Sequence, residues 1–309
     1  LGLSVSDRGP SRRGEAPPED FFEIRRPGLL VWMRKGFSFL VDEGGALRED
    51  RGFCPARGVS SYSGRGRIDR LSLGPMGDGC ALIRHYRRGG VFGGLLRDFY
   101  IGRRRFLQEV RVSEWARSQD IPTAEVLALR IEHKRLGFCH GDLVTREIGG
   151  SEDLDKYLQS SGKREGKASD RGREIIRSVA LLLQRMHRAG LYHADLNLKN
   201  ILIQVDETGV NSYVIDLDRA RVIKPLGSRM RIRNLVRLYR SLDKQGYLKD
   251  LIGTKEIIAF VRAYCGEDRE LLALCKEVMR KDMWMLRYHR AGWKLSRGLK
   301  RIGSGRDDG

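Results

Sequence analysis

No Cys-x-x-Cys pair occurs in the chain; its five cysteines, Cys54, Cys80, Cys139, Cys265 and Cys275, are scattered over 309 residues. That spacing suggests neither a disulfide framework nor a zinc site, and it fits a reducing compartment. No apolar run approaches the length that crosses a bilayer. The N-terminus has no apolar core of the kind a secretory signal carries. Lysine is absent between Lys35 and Lys134, so any cationic role in that stretch falls to arginine. Acids are the minority overall, with Asp+Glu 40 against Lys+Arg 59 and a formal net charge of +19. Such an excess favours an anionic partner, be it nucleic acid, nucleotide, phospholipid or acidic glycolipid. The plainer alternative is solubility together with an arginine-rich composition. The length suits one large or two ordinary domains with a substantial core.

The stretch from Tyr192 to Arg221 organises the rest. It contains His193-Ala194-Asp195, then Asn200, then the apolar run Ile201 to Ile203. A turn of Asp206, Glu207, Thr208 and Gly209 follows, and Tyr213 to Ile215 lead into Asp216-Leu217-Asp218. Two β-branched runs joined by an Asp/Gly loop predict a hairpin. That hairpin holds Asp195 and Asn200 at one mouth and returns Asp216 beside them. Three convergent oxygen-bearing side chains suit phosphoryl transfer, where the protein's work is positioning and charge neutralisation. In such a site Asp195 accepts the proton of an attacking hydroxyl. Asn200 and Asp216 offer the hard oxygen donors that Mg²⁺ prefers. H-x-D-x4-N followed by apolar-Asp-apolar is the kinase catalytic loop and metal aspartate in generalised form. The competing interpretation is that the same groups only cap turns around a buried hairpin.

Along the chain, residues 1–20 read as a disordered leader, rich in Ser, Arg, Gly, Pro and Glu. Leu29 to Trp32 and Phe37 to Val41 read as a short strand pair, and 47–58 as a charged loop. Gly64-Arg65-Gly66 opens a strand-turn-strand, Ile68–Leu73 and Cys80–Tyr86. Glycines there let backbone N–H groups approach phosphate closely, although most such loops are only turns. Arg84 stands where a kinase carries its phosphate-binding lysine, with Arg87 and Arg88 as lesser candidates. Arg103 to Ser118 reads as a helix that ends before Ile121-Pro122. Its Glu109 is placed to pair with Arg84, or else belongs to an ordinary intrahelical charge pair. Arg87-Arg88-Gly89-Gly90 is either a basic loop for nucleotide phosphate or an anionic acceptor, or only a surface turn.

Val126–Ile131 and Phe138–Ile148 predict two more strands, with a hinge near Ile148-Gly149-Gly150 and a lobe boundary at about residue 150. Strands therefore dominate 21–150 and helices 151–302. Ser151-Glu152-Asp153 is expected to cap a short helix, and a charged linker covers 160–170. Glu174–Arg188 is an amphipathic helix carrying Ile175, Val179, Leu182, Leu183 and Met186 on one face, with Gly190 as its C-cap. His187 and His193 read as packed or orienting histidines rather than proton carriers. Helices follow over 229–242, 254–265 and 269–279. From Met283 to Ile302, Trp284, Tyr288, Ala291, Leu295, Leu299 and Ile302 recur at three- and four-residue steps among arginines and lysines, with no acid. That segment can lie on anionic lipid or turn its apolar stripe to the core. Residues 303–309 read as a disordered tail.

The segments Leu82–Gly90 (LIRHYRRGG), His193–Asn197 (HADLN), Ile215–Arg219 (IDLDR) and Asn234–Leu242 resemble the bacterial 3-deoxy-D-manno-octulosonic acid (Kdo) kinases of the lipopolysaccharide kinase superfamily. The resemblance runs from about Gly64 to Lys244. It implies an α+β, bilobal, protein-kinase-like fold with a β-rich N-lobe, one main helix there and a mostly helical C-lobe. It also implies an ATP- and Mg²⁺-dependent enzyme that phosphorylates a Kdo hydroxyl on a lipid A precursor. Such an enzyme works peripherally at the cytoplasmic face of the inner membrane. Its partners are an anionic glycolipid and an anionic membrane surface, with no nucleic acid. Carried over by position, Asp195 is the base and Asn200 and Asp216 are metal ligands, and Arg84 follows the family's pattern; from the residues themselves, Glu109, Gly64 and Gly66 join Arg84 as nucleotide-binding candidates. Leu217-Asp218 replaces the Phe-Gly of protein kinases, which argues against their activation switch. Asp218 is left as either a further metal contact or a partner of Arg219 or Arg221. Two other functions compete. One is a kinase of this fold acting on heptose, a small alcohol or a protein side chain; the other is a non-enzymatic basic binder.

Overall fold

The computed structural model describes residues 16–40, 47–48, 52–53, 61–63, 67–74, 78–86, 100–101, 103–133, 138–161 and 170–280. The Gly64-Arg65-Gly66 loop, Arg87 to Gly90, most of the leader, the basic segment 283–302 and the tail lie outside them.

The first half is an antiparallel sheet. Its strands are β1 (Phe21–Arg26), β2 (Leu29–Arg34), β5 (Ser61–Ser63), β6 (Arg67–Ser72), β7 (Cys80–His85), β8 (Tyr100–Ile101), β9 (Val126–His133) and β10 (Phe138–Arg146). They run in the order β1-β2-β9-β10-β7-β6-β5, with β8 pairing β10. β3 (Leu47–Arg48) and β4 (Gly52–Phe53) form a separate two-stranded ribbon inside the expected charged loop. The partner of β2 differs from expectation. Phe21–Arg26 pairs with it across Pro27-Gly28, whereas Ser38–Leu40 forms a 3-10 turn. Gly28 has φ +76, which permits that tight reversal.

One helix, α1 (Arg104–Ser118), packs on this sheet. Phe106, Leu107 and Val110 join a core with Trp32, Leu129, Ile131 and Leu143. Phe106 lies so close to β10 that a Cβ on Gly141 would sit 2.7 Å from its ring, so only glycine lets the helix approach. The other side of α1 belongs to the second half: Val112 and Ala116 pack into the core of the helical region. The apolar residues of α1 are therefore divided between two cores. Phe106 and Val110 face the sheet, and Trp115 packs against the other core.

The chain leaves the sheet at Arg146. It does not begin a helix at Ser151, as the Ser-Glu-Asp sequence suggested. Ser151–Asp153 is a strand, β11, paired with β13 (Ile201–Asp206), which pairs in turn with β14 (Gly209–Val214). Only Asp153 caps, its Oδ1 accepting the Lys156 N–H at 2.9 Å at the start of α2 (Leu154–Ser161). α3 (Asp170–Ala189) buries Ile175, Val179, Leu182, Leu183 and Met186, the stripe expected from their spacing. Gly190 ends it at φ +98, and a Cβ there would meet the Ile223 carbonyl at 2.7 Å. β12 (Leu191–Tyr192) pairs with β15 (Arg221–Val222), closing the base of the loop between them. α4 (Ser228–Gln245), α5 (Tyr247–Asp250), α6 (Thr254–Cys265) and a last helical stretch, 269–280, complete the second half. The architecture is α+β and kinase-like, with an antiparallel sheet followed by helices. None of the described helices is long and apolar enough to cross a membrane.

Candidate active site

Leu196 and Leu198 anchor the loop after β12; they are 0% and 1% exposed and plug into the helical core. Between and beside them the polar residues have no freedom to wander. Asn197 caps the 3-10 turn Leu198–Asn200, its Oδ1 accepting the Lys199 N–H at 2.9 Å. Asn197 and Asn200 both donate their amides to the Asp195 carbonyl, at 2.9 and 2.8 Å. Asn200 is buried, while Asp195 is exposed. With Nδ2 committed to that carbonyl, Oδ1 is the atom Asn200 has left to offer a cation.

The hairpin register places Ile201 opposite Val214, so Asn200 and Ile215 meet at its open end, where Ile215 N–H donates to the Asn200 carbonyl at 3.0 Å. Asp216 follows at φ +63, a left-handed conformation uncommon for a residue other than glycine. His193 ties this end to the loop. Its Nε2–H donates to the Ile215 carbonyl at 3.0 Å, and its Nδ1 accepts the Asp195 N–H at 3.2 Å. Those two roles require the neutral ring protonated on Nε2, and burial pushes its pKa down in the same sense. His193 therefore ties the backbone at Asp195 to the backbone just before Asp216, the loop-orienting role expected from the sequence.

A second histidine and an asparagine brace the first. Asn234 of α4, fully buried, accepts the His193 N–H at 3.1 Å and donates to the His193 carbonyl at 2.9 Å. His187 donates to the same Asn234 oxygen at 3.2 Å and accepts from the Tyr264 hydroxyl at 2.7 Å. Burial lowers the His187 pKa to about 4, so this ring too is neutral. Asn234 was not singled out as functional by its sequence. The available signal is an amide in the middle of a helix at a position that the α4 periodicity turns inward.

Across from the loop, β7 supplies Arg84. Its Nη1 lies 2.5 Å from Asp216 Oδ1, and its Nη2 meets both Glu109 Oε1 and, at 3.1 Å, the Tyr86 hydroxyl. The Tyr86 hydroxyl donates to the other Glu109 oxygen, and the guanidinium lies 4.8 Å from the Tyr86 ring centroid. The expected Arg84–Glu109 pair is thus present. Burial alone would weaken the hold of Arg84 on its proton, but Glu109, Tyr86 and Asp216 outweigh it and keep the guanidinium charged. Burial raises the Glu109 pKa, and Arg84 opposes that rise. Tyr86 is a site residue that sequence reasoning missed. It stands two residues after Arg84, just past the end of β7, where its N–H still donates to the Gly141 carbonyl at 3.0 Å and the strand alternation puts it on the Arg84 side.

Asp218 is not paired with Arg219 or Arg221, the neighbours its sequence suggested. Its Oδ2 meets Arg105 Nη2 of α1. The structure therefore gathers Asp195, Asn200, Asp216, Arg84 and Glu109 into one linked set. Gly64 and Gly66 lie outside the described residues, although β5 and β6 on either side of them pair in register, Ser63 opposite Arg67. Among the described residues no three His, Cys, Asp or Glu side chains form a complete metal cage. The donors here, one amide oxygen and one carboxylate, instead fit a Mg²⁺ that keeps waters and phosphate oxygens in its shell.

Comparison with known proteins agrees with this geometry. Residues 67–264 match the family described as Lipopolysaccharide kinase (Kdo/WaaP) family. A 3-deoxy-D-manno-octulosonic acid kinase of Haemophilus influenzae is 31% identical over 195 residues, 61% of this chain and 76% of that protein. The enzyme of the same name from Pasteurella multocida is 30% identical over 194 residues, 62% of this chain and 77% of its own. Among solved structures, one titled "WaaP in complex with acyl carrier protein" superposes with a TM-score of 0.51 at 22% identity, covering 76% of this chain and 88% of that one. This last likeness is one of fold. With an antiparallel sheet, a helical second half and a match over most of its length, the chain is a kinase and belongs to the lipopolysaccharide kinase (Kdo/WaaP) family.

Proposed function

We propose that the chain transfers the γ-phosphoryl group of ATP to a hydroxyl of Kdo on a lipid A precursor during lipopolysaccharide core synthesis. The observation that carries the reading is the linkage of Asp195 to Asp216 through His193 and Asn200, with Arg84 reaching Asp216 from the sheet. Asp195, the exposed carboxylate on a fixed backbone, accepts the proton of the acceptor hydroxyl as it attacks phosphorus. Asn200 and Asp216 hold Mg²⁺, which, when bound, neutralises charge on the phosphate oxygens. Arg84 faces the phosphates as a fixed planar donor, and Glu109 and Tyr86 keep it from rotating away. Gly64 and Gly66, outside the described residues, are included as nucleotide-binding residues on their sequence alone. The acceptor assignment rests on the curated relatives, which are Kdo kinases and share about 30% identity over three quarters of their length.

A lipid-linked, negatively charged acceptor also accounts for the net charge of +19. The enzyme acts peripherally at the cytoplasmic face of the inner membrane, in contact with its anionic surface. The test is incubation with labelled ATP, Mg²⁺ and four acceptors: Kdo-lipid A precursor, heptosylated core, free sugars and a generic protein. Label in the Kdo-bearing precursor is expected. Label in heptosylated core alone would move the reading to heptose, and label only in protein would overturn it. Asp195→Ala is expected to lower turnover by about 10²–10⁴-fold; equal turnover in both proteins would refute Asp195 as the base.

A further inference from the structure

The start of α1 is electrostatically wrong as an isolated helix. Arg103, Arg104 and Arg105 crowd its N-terminus, no acid occupies its first turn, and Arg103 makes no side-chain cap. The helix dipole places partial positive charge at that end, so cations there are unfavourable unless an anion is brought in from elsewhere. Asp218 brings one. Its carboxylate, 11% exposed, meets the Arg105 guanidinium. Gln108, one turn along, donates to the Ala220 carbonyl at 3.3 Å. Glu109, four residues after Arg105 and on the same face of the helix, holds Arg84, and Arg84 reaches back to Asp216. Two ion-pair connections, Asp218–Arg105 and Glu109–Arg84–Asp216, thus join the same turn of α1 to the same short segment, Asp216 to Asp218.

We infer that Asp218 is a positioning residue rather than a metal ligand, and that with Arg105 it clasps α1 to the segment bearing Asp216. The pair sets the reach of Glu109 and hence the place of Arg84. In this arrangement the helix is held in its working position by residues within the chain. No added phosphate is needed to pull it there.

This inference rests on the reading of Arg84 and Asp216 as phosphate and metal groups, so its test carries a readout independent of activity. Asp218→Asn, Arg105→Gln and the charge-reversed pair Arg105→Asp/Asp218→Arg would be compared with wild type. The measurements are hydrogen exchange of the amides over 104–110 and steady-state kinetics with MgATP. Each single change is expected to speed exchange in that turn and to raise KM for ATP by about tenfold, with a smaller change in kcat. The reversed pair is expected to recover most of both. Asp218→Asn alone raising the Mg²⁺ requirement, with Arg105→Gln neutral and the reversed pair unrescued, would make Asp218 a metal ligand and overturn the clasp. Unchanged exchange in both single variants would overturn it as well. If wild type transferred no phosphoryl group while exchange followed the expected pattern, the clasp would stand and the proposed function would fall.

Discussion

In the sheet, the His85 ring lies between two buried carboxylates, with Nδ1 2.7 Å from Asp142 and Nε2 3.3 Å from Asp69. In the helical half, the His187 ring lies between the Tyr264 hydroxyl and the Asn234 amide. The hydrogen bond to Asp142 raises the first pKa against burial, whereas burial lowers the second to about 4. The surroundings thus favour the charged form of the ring on one side of the site and the neutral form on the other. The contrast extends to the surroundings. Arg130 pairs with Asp142 inside the sheet at 3.4 Å, and Arg34 reaches Glu114 and Glu125. Around His187 and His193 the partners are amides, hydroxyls and carbonyls. On the proposed function, a wall that presents a guanidinium to phosphate needs compensating charge beneath it. A loop that must hold a carboxylate and an amide still is best braced by neutral hydrogen bonds, which leave the local field to the reacting groups.

The contrast can be broken most strongly at Glu109. Glu109→Ala leaves Arg84 with only Asp216 and Tyr86 beside it, and should cost about 3–5 kcal/mol in chemical denaturation. A loss near zero would mean that buried charge is not what holds the sheet side. Acid should act next, and on the other half. The His187 pKa is lower in the folded state, so its contribution is complete above 6.5 and fades as pH falls toward about 4. That shift corresponds to roughly 3 kcal/mol, and hydrogen exchange in α3 and α4 should accelerate over that window. Equal acceleration in His187→Gln would assign the acid response elsewhere.

Asn234→Ala removes two hydrogen bonds from the His193 backbone and one from His187, for about 2 kcal/mol. It should also lower kcat more than it changes KM for ATP, because the brace serves the loop and not the nucleotide wall. A loss confined to stability would separate the brace from catalysis. The smallest effect is expected from base. The His85 pKa is raised in the folded state, so its contribution is complete below 6.5 and is lost as pH rises through the raised value. Exchange in β6, β7 and β10 should therefore loosen modestly toward alkaline pH in wild type and not in His85→Gln.

Much of the frame was legible where the deciding interactions are short in sequence. The α3 stripe, the Gly190 cap, the β13–β14 hairpin and the orienting role of His193 all follow from spacing, turn chemistry or a bond across a few residues. Ser151–Asp153 misled because Ser-Glu-Asp is good capping chemistry. Pairing with β13, some fifty positions away, overrode that local preference. Phe37–Leu40 misled in the same way: its apolar run matched a strand, but β1 had already taken the edge of β2. Asn234, Tyr86 and the Arg105–Asp218 pair carry little local signal, since each acts through a partner on another element.

By itself the order of residues determined that Asp195, Asn200 and Asp216 sit at the ends of one hairpin, because the turn and the β-branched runs leave that hairpin a single register. It also assigned the cationic role in the early strands to arginine, there being no lysine. Only the tertiary structure decided that Arg84 answers to Glu109, Tyr86 and Asp216 together, and that Asp218 belongs to Arg105. Those contacts depend on α1 lying between two cores, and no local preference specifies where a helix buried on both sides will come to rest.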